Sequence, residues 1–303
     1  MKKNWPMLSY KKGKATYDTL QLFTQVLGKI KLATLPWANH SWNNTLHITT
    51  FGVSTQTIQY HDFNFEIELN LVLHQLKIST SLGEIKQFLL ENLSVAQFYM
   101  RVFELLSELN INLQIMTTPS EIVNPIPFEE DQAHATYDPV HAGNLHRALL
   151  SIQSVFMIFR KDFAGKASPI HFFWGGFDLS LAFFSGNKAP HHPGKIPGLP
   201  DWVLQDAFSH ELMDFGFLTG TVYIPEPSFY CYIYPEPDLF NAGEILPEQA
   251  YYNKEIGQFL LPYSAVRKSE SPDELLLKFL QSAFVLGSSL AEWNPELYTS
   301  NKV

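Results

Sequence analysis

The stretch FNFEIELNL, residues 63–71, decides the fold class. Phe63, Phe65, Ile67, Leu69 and Leu71 alternate with Asn64, Glu66, Glu68 and Asn70, so every apolar side chain falls on one face of a strand. A strand with one buried and one wetted face belongs to an antiparallel sheet. Its partner, Leu76 to Ser79, follows after a short connection, and Gly83 marks a turn before Ile85 to Leu89. The sheet therefore grows as a meander, and the period of two begins near Thr45.

Helical spacing flanks this meander. From about Tyr17 to Leu35, the residues Leu20, Phe23, Leu27 and Ile30 recur three or four apart, giving a helix with one apolar face that ends near Pro36. At Ser94 the period returns to 3.6. Ser94 and Gln97 form a capping box, and Val95, Phe98, Val102, Leu105 and Leu109 line one face. A short strand, Ile111 to Met116, is expected to close this half. Residues 119–137 then carry Pro119, Pro125 and Pro127 and four acidic residues, which predicts an extended connector. It separates an N-terminal half, 1–118, from a C-terminal half, 138–303, the two packed as one unit.

The second half opens like the first. Asp138 and Pro139 start a helix whose stripe of Leu145, Leu149, Ile152, Phe156 and Phe159 runs to about Phe163. Strands are expected at 170–174, 179–184, 215–224 and 229–234. A last helix starts at Ser271, Pro272, Asp273 and Glu274, with Leu275, Leu276, Phe279, Phe284 and Leu290 on its apolar face. The expected fold is α+β, in two similar halves, each a long helix, about four antiparallel strands and a second long helix. His47 precedes Gly52 by five residues, as His171 precedes Gly176, which suggests a pseudo-twofold internal repeat, although such a spacing also arises by coincidence.

Composition narrows the function. The chain has 303 residues, 46% hydrophobic and 17% charged, and its 24 Phe, 13 Tyr and 6 Trp make aromatic packing dominant. A net charge of −9 without a long basic run argues against a nucleic-acid partner. The densest cationic stretch, Lys2, Lys3, Lys11, Lys12 and Lys14, reads as solvated. No window approaches the ~18 apolar residues of a membrane span, and no leader-length apolar run follows the N-terminus, so no membrane partner and a cytoplasmic location are expected. Cys231, the single cysteine, allows no intramolecular disulfide and no cysteine-based zinc site, which suits a reducing compartment. Nothing fixes the oligomeric state.

Residues 166–190, KASPIHFFWGGFDLSLAFFSGNKAP, resemble a bacterial protein family of unknown function, whose motif S-P-[IV]-H-F-F-W-G-x-F-D-L begins here at Ser168. The similarity extends to WPML at 5–8, NHSWN at 39–43, FEIEL at 65–69, PIPFEEDQAHATYDP at 125–139, FSHE at 208–211 and QFLLPYSAVR at 258–267. It covers nearly the whole chain. Family members commonly carry Ser at the position of Gly176 and Arg near Phe183 and Asn187, departures that weaken an anion-binding reading of this loop. The resemblance implies a relationship and no activity.

Polar chemistry concentrates on histidine. His171, His191, His192 and His210, the last beside Glu211, are candidate ligands for a divalent zinc, iron or manganese ion that would activate a water. Their spacing matches no H-E-x-x-H or H-x-H motif, and surface or core histidines are the competing reading. Asp178 is a candidate general base or histidine-orienting group, with a turn residue after Gly175 and Gly176 as the alternative. The Gly pair lacks the Lys-Ser or Lys-Thr of a phosphate loop, and G-x-S-x-G is absent. Cys231 in FYCYIYP reads as a small buried hydrophobe. The aromatic run at 172–174, 177 and 183–184 fits either an apolar pocket or the core.

These residues favour a protein that binds a small organic ligand in an aromatic pocket. Phe172, Trp174, Phe177, His40 and Trp42 would touch the ligand, and His171, Asp178, His210 and Glu211 would form a polar, catalytic end. The alternative is a non-catalytic interaction or assembly protein docking through the Pro-rich loops at 190–200 and 235–247. A second alternative, a metal-dependent hydrolase, uses the same polar residues with His191 or His192 added. No cofactor is identified beyond the candidate divalent metal.

Overall fold

The computed structural model describes residues 4–91, 93–196 and 198–298, so Lys2 and Lys3 lie outside the described residues. Helix α1 spans Tyr10–Thr34, and the Ser9 side chain accepts the Lys12 N–H at its start. It is buried on every side from Leu22 to Lys31, not along a single face as the spacing predicts. The difference has a cause in the connector. Gln25 donates Nε2–H to the Ser120 carbonyl (2.9 Å) and accepts the Ser120 N–H (2.8 Å), which fastens residues near 120 over the polar side of the helix.

The first sheet contains β1 (His47–Ile48), β2 (Gly52–Ser54), β3 (Ile58–Tyr60), β4 (Phe63–Asn70), β5 (Gln75–Thr80) and β6 (Ile85–Leu89). Its order is β1-β2-β4-β5-β6, with β3 also paired to β4, all antiparallel. The register sets Ile67 opposite Ile78 and Leu69 opposite Leu76, and all four are fully buried, but Glu68 and Asn70 of the face expected to be wetted are buried as well, because Thr49, Asn70 and Lys77 meet the Glu68 carboxylate. Helix α2, Val95–Glu108, covers that face. Its capping box is complete, and Phe98 stacks on Phe23 of α1 at 3.8 Å.

The strand expected at Ile111 to Met116 does not form. Burial alternates there, but no neighbouring strand pairs with it; the Tyr60 hydroxyl instead bonds the Asn112 N–H and carbonyl, each at 2.9 Å. A period of two reports alternate burial and does not guarantee a ladder.

Asp138 caps α3 (Pro139–Lys161) by accepting the Val140 and His141 N–H groups. The second sheet comprises β7 (Lys166–Ala167), β8 (His171–Phe173), β9 (Asp178–Lys188), β10 (His210–Leu218), β11 (Ser228–Tyr234), β12 (Tyr251–Asn253) and β13 (Gln258–Pro262). The order is β12-β13-β11-β10-β9-β7, with β8 paired to β9. Helices α4 (Asp201–Ala207), α5 (Tyr263–Lys268) and α6 (Pro272–Leu290) complete the chain. The strand expected at 215–224 starts earlier and stops at Leu218, because Gly220 adopts φ +116°, a conformation outside strand geometry. Both halves hold more than four strands; the extra ones have mostly two or three residues, too few to show a period.

Phe183 forms the centre of one core. It stacks on Phe163 (4.1 Å) and Phe159 (4.9 Å) and packs against Phe215 and Phe284 of the neighbouring strand and of α6. The same continuous core reaches the buried residues of the first sheet. The two sheets join directly, since Leu46 N–H bonds the Phe172 carbonyl (2.9 Å) and Phe172 N–H bonds that of Leu46 (2.8 Å). No described helix is long and apolar enough to cross a membrane.

Phe183→Ala is expected to cost about 3–5 kcal/mol in denaturant unfolding, and Ser94→Ala about 1 kcal/mol through loss of the cap. A Phe183→Ala cost near that of the cap variant would show that the ring cluster is not the centre of the core.

Candidate functional site

The strands β9, β10 and β11 present two different faces. Leu179, Leu181, Phe183, Phe215, Phe217, Phe229 and Cys231 point into the core, all at most 1% exposed. The opposite face carries Asp178, Ser180, Asp214, Gly216, Tyr230 and Tyr232, since alternate residues of a strand face opposite ways. Gly216 is the cross-strand neighbour of both Ser180 and Tyr230. A Cβ there would overlap the Tyr230 ring. The missing side chain lets Tyr230 reach across β10 and donate its hydroxyl to Asp178 Oδ2 at 2.6 Å. Beside it, Asp214 accepts the hydroxyls of Ser180 (2.8 Å to Oδ1) and Tyr232 (3.2 Å to Oδ2).

This polar floor closes a cavity of about 570 Å³. Apolar groups form the walls: Trp174, Phe173 and Leu32, and α4 with Val203 and Leu204. At the surface Trp37 and Trp202 meet edge to face at 4.7 Å, both substantially exposed. Glu121 of the connector and Lys29 of α1 add a carboxyl and an ammonium to the lining. Trp174 donates Nε1–H to the Asn44 carbonyl (2.9 Å), and Gln21 bonds the Gly175 carbonyl (2.6 Å), so parts of both halves build the walls.

Burial governs the electrostatics. It pushes the carboxyls of Asp178 up to about 6 and of Asp214 up to about 7, partly offset by the hydroxyls they accept. Glu121 keeps accessible surface as a cavity residue; desolvation and then the Asp178 charge raise it to about 7. Burial lowers Lys29 to about 8; its Nζ lies 3.3 Å from Ser120 Oγ and 5.9 Å from the Trp174 ring centre. Glu121, His40, Ser41 and Phe177 all have φ near +60°, a strained backbone for residues other than glycine, and such strain gathers at functional sites.

Three of the expected site residues belong to this cavity: Asp178, Trp174 and His40. Asp178 is not the turn residue that the Gly pair suggested: it opens β9 directly after the turn at 174–177, bonds Tyr230 and not a histidine, and carries a raised carboxyl. His40 stacks on Trp42 at 5.2 Å, and burial lowers it to about 4, so it is a neutral ring. Trp42, Phe172 and Phe177 do not line the cavity; Phe172 and Phe177 pack on each other in the core. His171 lies behind Phe173, fully buried, its Nδ1 2.7 Å from the Pro169 carbonyl and its Nε2 without a partner. His210 is exposed beside Ser209, and Glu211 accepts from Ser185 and Asn187. His191 is exposed, and His192 stacks on Phe208. Among the described residues no three His, Cys, Asp or Glu are grouped to hold a metal ion.

A family model described as a family of unknown function (DUF5996) matches residues 5–300. The chain belongs to this family. No curated protein and no solved structure matches it. Within this DUF5996 chain the motif at 168–179 therefore supplies the cavity with Trp174 and Asp178, while its Phe172, Phe177 and Leu179 go to the core.

Several site residues escaped sequence reading. Glu121 and Ser120 sit in a segment expected to be an extended connector, and Lys29 lies off the apolar stripe expected for its helix. Asp214 lies inside an apolar run, LMDFGF, where a lone carboxylate two residues before a glycine was the available signal.

The raised Asp214 carboxyl gives a pH test. Between its ordinary value of 3.8 and about 7 the folded chain holds a proton that the unfolded chain has lost, so wild-type stability falls as pH rises through that window. Asp214→Asn removes this dependence. Its melting temperature relative to wild type should therefore climb from pH 5 to pH 7 and level off above, by several degrees in all; a difference that stays constant with pH would mean Asp214 is ionised in the folded protein. Gly216→Ala should lower stability and raise the exposure of Tyr230 to nitration by displacing its ring.

Proposed function

We propose that the protein binds a small organic molecule with an apolar body and a polar head, the body between Trp174, Phe173 and the α4 wall, the head on Asp178, Asp214 and Tyr232. The cavity carries this reading: at about 570 Å³ it falls within the roughly 300–1,000 Å³ of small-molecule sites, with apolar walls and convergent polar groups at one end. The concentration of raised carboxyls and strained backbone at the same place supports it. Residues 196 and 198–200 of the Pro-rich loop line the cavity, which gives that loop a part in this reading. We place this activity in the cytoplasm, which suits a single, unpaired, buried Cys231.

Val203→Trp tests the site without touching its polar floor. In a thermal-shift screen of small aromatic compounds, ligands that bind the folded chain raise its melting temperature by mass action. Compounds that stabilise the wild type should lose their effect on Val203→Trp, whose own melting temperature stays within a few degrees. Stabilisers that act equally on both proteins would place binding elsewhere and sink the reading.

A further inference from the structure

We infer that the polar head of the ligand is an organic cation, an amine or guanidine, held between Glu121, Asp178 and Asp214. The inference rests on the proposed pocket and goes further by naming the ligand's charge. Glu121, Asp178 and Asp214 line one cavity, and among the described residues none of them lies within 4.0 Å of a Lys, Arg or His nitrogen. Asp214 is buried and Asp178 half-buried, while Glu121 keeps access to solvent at the rim, and a carboxyl that ionises in such a place without a partner offers a position for a counter-ion. The Glu121 carboxylate in addition accepts no hydrogen bond from any described residue, although it lines the cavity, whereas Asp178 and Asp214 each accept from a tyrosine.

The size of the cation follows from the geometry. The three groups are too dispersed to coordinate a single metal ion. A cavity of about 570 Å³ between them has room for an organic ion carrying several donors. Aromatic faces supply the rest of its surroundings, Trp174 and Phe173 in the wall and Tyr230 and Tyr232 on the floor, and rings of this kind attract ammonium and guanidinium groups. Lys29, the only lining cation among the described residues, offsets one charge of three and leaves a net negative end when all three acids ionise.

The groups facing the site set the pH behaviour. They are Lys29 from α1, His40 from the turn before β1, Glu121 from the connector, Asp178 from β9, Asp214 from β10, and Tyr230 and Tyr232 from β11. A cation binds the ionised acids, so its affinity rises as pH climbs through about 6 to about 7 and binding releases protons. His40, neutral above about 4, adds nothing to this change. Lys29, lowered to about 8, loses its own charge as pH rises further, which favours the cation again.

Three probes with one apolar body test the inference by calorimetry on the full chain at pH 6 and pH 8: naphthylmethylamine, naphthylmethanol and naphthoate. The amine should bind at least about tenfold more tightly than the other two at pH 8, with proton release visible as a buffer-dependent heat, and the double variant Asp178→Asn, Asp214→Asn should shrink that preference to about threefold or less. Preference for the alcohol or for naphthoate, lost in Val203→Trp, would keep the pocket and overturn the cation. Failure of all three to bind would overturn the pocket reading itself, and the cation with it. Should the double variant fail to fold, Glu121→Gln alone must reduce the amine preference, and an unchanged preference there overturns the assignment.

Discussion

Two backbone hydrogen bonds between Leu46 and Phe172 hold together residues 126 positions apart, and the site depends on them. They set β1 of the first sheet against β8 of the second. Trp174, two residues beyond Phe172, then reaches the carbonyl of Asn44, two residues before Leu46. With that junction fixed, His40 and Lys29 of the first half and Asp178, Asp214 and Tyr230 of the second share one cavity. Without it the cavity would lose a wall.

The polar floor depends on a division of labour within one sheet. The inner face of β9, β10 and β11 is filled by Phe, Leu and Cys side chains that pack under α3 and α6 and make the sheet rigid. The outer face can therefore hold carboxyls in a poorly hydrated place, because stability comes from the other side. Gly216 is the detail that couples the strands, since its missing side chain is the space through which Tyr230 reaches Asp178. Raised carboxyls cost stability near neutral pH.

Much of the fold could be read from residue order. The alternation at 63–71, the capping box at Ser94 and Gln97, and the Asp138-Pro139 helix start are local signals, and each forms as expected because each depends on near neighbours in the chain. The segment at 111–116 shows where such reading ends. Its alternation is real, but a strand needs a partner backbone, and the nearest group is the Tyr60 hydroxyl. Apart from β8, which falls within the expected 170–174, the two- and three-residue strands are too short to show any period.

Residue order alone specifies the α+β class, the main helices, the central strands, and the presence of a polar residue, Asp178, beside an aromatic run. Those properties follow from spacing and local hydrogen bonding. Which polar residues share the cavity follows from long-range packing alone. Glu121, Lys29 and Asp214 come from a connector, a helix and a strand far apart in sequence, each with a bland local reading, and His210 and Glu211, adjacent to plausible partners in the chain, lie outside the cavity. Enclosure in a common cavity, not order along the chain, raises the carboxyls, and that enclosure exists only once both sheets and the connector have closed around α1.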